Sequence, residues 1–447
     1  MSHHHRRAAA VSAPDPYFSS TVLLLTGNGT NGGQNNTFLD DSSNSFTITR
    51  FGNTTQGSFS PFTGAGGSGY FDGAGDYLTA GGQTSYQFGT GDFTIEFWIY
   101  FTSVSGQSNI MDFRSSAGTP AIAPVIYRLS GVIRFFTNGS DRIVGTTSVT
   151  TGQWYHIAVA RSGTSTKLFL NGNQEGSTYT DSNSYGIGTN APSIGSSFTT
   201  NYTTGYISSL RLLKGTAQYT SNFTPPTTPL TAITNTQLLL NFTNGSIVDA
   251  TGKNDLETVG NAQVSTTVKK YGTGSLLFDG VSDSLFMRYT TDFFLQTSYT
   301  IEAWIYPTTT SGYRPIFTIE PTSGSNFGAL ILAQNGTAIN GECRPTTGGT
   351  NVVITGGTLT ANQWFHVALS VSSGSAKLYL DGSQVGTTST FTNFSFTPVG
   401  VAVGANANQF NFTTQVFLGN IADLRVTKGI ARYTSNFTPP YRQLPTR

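Results

Sequence analysis

Two strand-like stretches hold the residues with most chemical potential. FTIEFWIY (93–100) and YTIEAWIYP (299–307) each carry one carboxylate, Glu96 or Glu302, followed at alternate positions by Trp98 and Tyr100, or Trp304 and Tyr306. Glycoside hydrolysis needs two carboxylates flanking the bond, roughly 5–10 Å apart. One carboxylate per strand falls short of that pair. The expectation is that Glu and Trp sit on a partly covered sheet face and satisfy local polar groups. His156 and His366 recur at one place in QWYHIAVA and QWFHVALS, with no Ser or Cys nucleophile motif and no consistent acidic partner. They read as hydrogen-bonded structural residues. Calcium takes roughly six to eight oxygen ligands. Asp72 with Asp76 and Asp279 with Asp283 offer paired carboxylates, although Asp-Gly also simply makes a turn. His3, His4 and His5 offer an adventitious metal site with no fourth ligand beside them.

The elements that position these residues occur twice. GQWYHIAVARSGTSTKLFLNG (152–172) aligns without a gap on NQWFHVALSVSSGSAKLYLDG (362–382), Trp154 matching Trp364. Each copy reads as two strands and a tight turn closed by Asn171-Gly172 or Asp381-Gly382, which enter positive φ cheaply. In the first, Trp154, His156, Ala158 and Ala160 point one way and Tyr155, Ile157 and Val159 the other. In 93–100, Phe93, Ile95, Phe97 and Ile99 line one face, opposite Thr94, Glu96, Trp98 and Tyr100. TVLLL (21–25) has a twin in TQLLL (236–240), and GYISSLRLLKGTAQYTSNFTPP one in GNIADLRVTKGIARYTSNFTPP. The repeats place a first domain at 19–224, a Pro/Thr-rich linker with Pro225, Pro226 and Pro229 at 225–235, and a second domain at 236–441. Residues 1–18 form an amino-terminal arm and 442–447 a tail.

Composition agrees with an all-β chain. Only 10% of the 447 residues are charged, 13% are aromatic and 52 are glycine, which suits many short strands and turns. The net charge of +1, with no basic block in the body, argues against a nucleic-acid partner. No apolar run approaches membrane length. The lone Cys343 excludes an internal disulfide.

The ordered motifs FDGAGDYL, FTIEFWIY, QWYHIAVA, KLFLNG and GYISSLRLLKG, with FDGVSDSL, YTIEAWIYP, QWFHVALS, KLYLDG and GNIADLRVTKG, resemble the laminin-G-like or concanavalin A-like jelly-roll superfamily over nearly all of 20–440. The resemblance implies two tandem jelly-roll β-sandwich domains. RYTSNFTPP looks like the closing run of such domains in tailed-phage virion proteins. Related glucanases place acidic residues at alternate positions of one strand, where this chain has aromatics. The superfamily often binds calcium at a loop end, with an acidic pair in a GxIDExR strand. Here those positions hold Ser208 and Ser209, or Ala422 and Asp423, so Asp423 joins the calcium candidates.

Residues shared by both copies, such as the Trp of QW, read as fold determinants. Aromatic and Arg residues that differ between copies near loops are candidates for ligand contact: Phe198, Tyr202 and Tyr206 in the first, and Tyr313, Arg314, Phe327, Phe410 and Phe412 in the second. The competing reading is that they cap the open sandwich ends. Arg6, Arg7, Tyr17 and Phe18 are the expected anchors of the arm on a neighbouring subunit. The expected function is non-enzymatic: a structural or adhesion protein at a phage virion surface, partnered by other virion proteins, by copies of itself or by host-surface glycans. The alternative is a bacterial extracellular or cell-surface lectin, and a glycan hydrolase is disfavoured.

Overall fold

A computed structural model of the chain describes residues 14–63, 65–198, 200–288, 290–321, 329–345, 350–393, 398–406 and 415–446. The regular elements among the described residues are almost all antiparallel strands; their helices are short 3₁₀ turns such as Phe18–Ser20, Gln83–Tyr86 and Thr291–Phe293. They form two compact units, and each is a jelly-roll sandwich of an eight-stranded and a seven-stranded sheet.

In the amino-terminal unit, Phe93–Phe101 lies between Trp154–Ser162 and Thr204–Lys214 in the eight-stranded sheet. The alternation read from sequence sets its two faces. Phe93, Ile95, Phe97 and Ile99 are fully buried in the core with Ile157 and Val159, against Ile126 and Phe135 of the seven-stranded sheet. The carboxy-terminal unit repeats this with Tyr299–Pro307 between Phe365–Ser372 and Leu418–Lys428, and Ile301 takes the place of Ile95.

The units do not follow the sequence repeats. The described residues of 34–245 form one; those up to Gly33 join those from Ser246 onward in the other. Thr21–Leu25 pairs with Leu418–Lys428, and Thr236–Leu240 pairs with Thr204–Lys214. The repeats have exchanged their first strands. Polar contacts accompany the exchange: Leu24 N–H donates to Asp249 (2.9 Å), and Leu239 N–H donates to Asp40 (3.0 Å). Each loop aspartate thus holds the strand of the other repeat. The boundaries at 19–224 and 236–441 are corrected accordingly.

Two segments singled out in the sequence make contacts within the units. Asp15 is buried and receives Arg425 Nη1 at 2.9 Å and Arg432 Nη2 at 2.7 Å, while the Arg432 guanidinium lies over the Tyr17 ring at 5.2 Å. The segment from Asp15 to Ser20 is therefore held by its own carboxy-terminal unit, because two guanidinium groups there find their counter-charge in Asp15. Arg6 and Arg7 lie outside the described residues. The Pro/Thr-rich linker at 225–235 is tied down as well. Leu230 N–H donates to Ser209 Oγ (3.3 Å) and Thr231 O accepts Arg211 Nη1 (2.8 Å), which pins the proline run to the amino-terminal unit.

Candidate functional site

Glu96 and Glu302 sit at the centre of matching buried clusters. Arg211 Nε and Nη2 reach Glu96 Oε1 at 2.9 and 2.6 Å, Tyr219 OH donates to Oε2 at 2.8 Å, and His156 Nε2 lies 3.4 Å from Oε2. Arg425 makes the same two bonds to Glu302, with Tyr433 OH at 2.7 Å and His366 Nε2 at 3.2 Å. Both carboxylates are fully buried. Burial pushes the Glu302 carboxyl up, but the Arg425 charge and the hydrogen bonds from His366 and Tyr433 outweigh it and hold it below the usual carboxylate range. This corrects two expectations. The histidines do have a consistent acidic partner, and the face carrying Glu96 and Glu302 is closed rather than partly covered at those residues. Both carboxylates are sealed from solvent and so have no access to a glycosidic bond.

YTSNFTPP is what seals them. In the two units the Tyr219–Phe223 and Tyr433–Phe437 rings stack at 3.6 and 3.5 Å over the histidine side of the sheet. Lys167 Nζ and Lys377 Nζ donate to Thr220 O and Thr434 O, both at 2.6 Å. Phe223 N–H and Phe437 N–H donate to Gly172 O and Gly382 O at 2.9 Å. A Cβ on either glycine would overlap the phenylalanine carbonyl, and φ is +78° and +79° there, so the turn needs glycine twice over. The shared motifs are one structural device, built twice.

Where the repeats differ, the same outer face opens. A groove of about 500 Å³ lies in the amino-terminal unit with Trp98 in its lining, between Pro61, Phe62 and Thr63 on one side and Pro225, Pro226 and Pro229 on the other. Phe62 is buried and meets the Trp98 ring edge-on at 5.9 Å. Next to Trp98 along the strand runs a rung of half-buried aromatics. Tyr70, Tyr206, Tyr100 and Trp154 stand in register on four adjacent strands, with centroids 4.8, 6.0 and 5.6 Å apart. Phe59 leans on the last three. In the carboxy-terminal unit the corresponding rung is broken by Leu277 and Asn420 beside Tyr306. There Lys270 Nζ sits 3.9 Å over Trp304, and Tyr271 meets that ring at 5.9 Å while donating to Pro440 O at 3.0 Å. The ungapped alignment of QGSFSPFTGAGGSGYFDG with QVSTTVKKYGTGSLLFDG puts Thr63 and Gly64 opposite Lys270 and Tyr271. Trp304 is accordingly buried and Trp98 half-buried.

A family model described as the concanavalin A-like lectin/glucanases superfamily matches residues 72–220 and again 279–430. The chain belongs to this superfamily. Neither match includes Thr21–Leu25 or Thr236–Leu240, the exchanged strands. No curated protein matches the sequence significantly. Among solved structures, the chain is similar to the receptor-binding domain of botulinum neurotoxin mosaic serotype C/D at 15% identity, with 43% of this chain and 46% of that one covered and a TM-score of 0.32. It thus spans about half the length of that fragment. It is similar to the mouse laminin α1 chain domains LG4-5 at 10% identity, covering 95% and 93%, TM-score 0.28. The Ruminococcus gnavus IT-sialidase CBM40, bound to α2,3 sialyllactose, matches at 16% identity over 30% of this chain and 77% of that one, TM-score 0.26.

The carboxylates that the sequence offers for calcium are engaged by backbone amides. Asp76 and Asp283 are buried and accept the backbone N–H of Asp72 (3.0 Å) and Asp279 (2.7 Å). Asp72 and Asp279 in turn accept Ala74 N–H and Val281 N–H. These are turn carboxylates occupied by the backbone. Asp423 accepts Leu444 N–H at 3.3 Å, and burial pushes its carboxyl up to about 7 despite that bond and Arg425. Among the described residues no three metal-ligating side chains converge.

The proposed contact residues of this superfamily member scatter. Tyr206 lies in the aromatic rung. Phe198 is buried beside Tyr77, which stacks on Phe51, and Tyr202 is half-buried. Tyr313 OH donates to Glu342 at 2.7 Å, and Arg314 is tied to Ser311 O and Val416 O. Phe327, Phe410 and Phe412 lie outside the described residues. Trp98, Phe62 and the prolines were missed; the signal was the unequal pair Thr63-Gly64 and Lys270-Tyr271 inside an otherwise matched stretch.

Proposed function

We propose that this protein is a non-catalytic glycan-binding adhesin that holds a sugar chain in the Trp98 groove. The observation that carries the reading is the contrast between the units: one buries its tryptophan under Lys270 and Tyr271, the other leaves Trp98 in an open groove beside a rung of four aromatics. An aromatic and proline lining offers flat apolar surface to the C–H faces of sugar rings, and the rim threonines Thr63, Thr224, Thr227 and Thr228 offer hydroxyls to theirs. Membership in a superfamily of lectins and glucanases supports the sugar, and the sealed single carboxylates support the absence of cleavage. The setting we propose is a phage virion surface, on the likeness of RYTSNFTPP alone, with other virion proteins as neighbours.

The test transplants the closed arrangement. Thr63→Lys with Gly64→Tyr should abolish attachment to glycan-bearing cell surfaces and leave melting unchanged; retained attachment would reject the groove. Release of reducing ends by the wild type, lost in Glu96→Gln or Glu302→Gln, would reject the non-catalytic reading. Mass spectrometry of purified virions should detect the chain; its absence would move it to a free or cell-surface lectin.

A further inference from the structure

We infer that the Trp98 groove selects uncharged glycans and rejects sialylated or sulfated ones, an inference that rests on the glycan-binding reading above. Among the described residues, the lining of the groove contains no Lys, Arg, His, Asp or Glu. The cations nearby are committed elsewhere. Arg211 spends Nε and Nη2 on Glu96 and Nη1 on Thr231 O, and Lys167 Nζ donates to Thr220 O. An ionised carboxylate or sulfate brought against proline and indole loses hydration and gains no counter-charge. Neutral hydroxyls lose far less and meet threonine hydroxyls at the rim.

The other unit shows the converse. Its lysine at the matching position, Lys270, lies directly over Trp304, and burial lowers its pKa. Where a cation is present the tryptophan is covered, and where the tryptophan is open the cation has become Thr63. The groove also has the volume of an ordinary ligand site, enough for a short oligosaccharide rather than a single terminal sugar.

The experiment is a printed array of neutral hexose and N-acetylhexosamine oligosaccharides beside their sialylated and sulfated forms, probed with the full chain, Trp98→Ala and Thr227→Lys. The wild type should bind neutral members at least tenfold better than their acidic counterparts. Trp98→Ala should lose that binding, and Thr227→Lys, with an ammonium at the rim, should narrow the tenfold preference. Trp98-dependent binding that favours the acidic members would overturn this inference and leave glycan binding standing. Absence of any Trp98-dependent binding would overturn both.

Discussion

Leu23→Ala should weaken the carboxy-terminal unit, although Leu23 begins the amino-terminal repeat. The side chain is fully buried in the core that contains Ile301, Leu424 and Val426, and its strand partner is Val426. Truncating a buried leucine to alanine costs about 2–5 kcal/mol, because the lost transfer energy is joined by the cavity left behind. For a unit of this size each kcal/mol lowers the midpoint by about 2–4 °C, so the shift is about 4–20 °C. Hydrogen exchange read by mass spectrometry locates the effect. Amides of Tyr299–Pro307 and Leu418–Lys428 should lose protection, and those of Phe93–Phe101 and Thr204–Lys214 should keep it. Leu238→Ala, equally buried in the other core, should do the reverse. If Leu23→Ala instead deprotects Thr204–Lys214, each repeat keeps its own strand and the exchange is refuted.

Three further outcomes follow from the buried groups. Glu96→Gln leaves Arg211 without its acidic partner in the buried cluster and should cost about 3–5 kcal/mol at neutral pH by chemical denaturation; a loss under 1 kcal/mol would show that the cluster is not sealed. The Asp423 carboxyl, raised from 3.8 to about 7, favours the folded state when protonated. Its contribution is full below pH ~4 and is lost as pH rises through ~7, a total of about 4 kcal/mol. Asp423→Asn should flatten that fall in the stability of the carboxy-terminal unit between pH 4 and 7, and an unchanged pH profile would contradict the burial. Gly172→Ala places a Cβ against the Phe223 carbonyl at positive φ; it should cost at least ~1–3 kcal/mol and speed proteolysis within the YTSNF run, whereas a neutral effect would mean that the run does not clamp the turn.

The sandwich was legible because its signals are local. Alternation in 93–100 placed Phe93, Ile95, Phe97 and Ile99 inward, and the structure buries all four. The exchange was not legible. TVLLL and TQLLL offer nearly the same buried leucines to nearly the same acceptor strand, so periodicity cannot say which pairs with which. In the exchanged arrangement the strands are held by Asp40 and Asp249, aspartates that look like ordinary loop residues in sequence. The acidic partner of the histidines was half legible. Glu96 and His156 both point outward from strands that the alternation identifies, and both recur in the second repeat. Their adjacency depends on register, and Tyr433 reaches Glu302 across 131 residues of chain, a separation that sequence pattern does not span. The groove was not legible because Trp98 and Trp304 occupy the same position in the two repeats, and residues elsewhere in the chain decide whether the ring is covered.

The most direct test of the central claim is fluorine NMR of the full chain labelled with 5-fluorotryptophan, which reports on Trp98, Trp154, Trp304 and Trp364 separately. Titration with a neutral oligosaccharide that the array identifies should shift the Trp98 resonance saturably and leave the Trp304 resonance in place. A saturable shift of Trp304 with Trp98 unmoved would contradict the groove as the binding site.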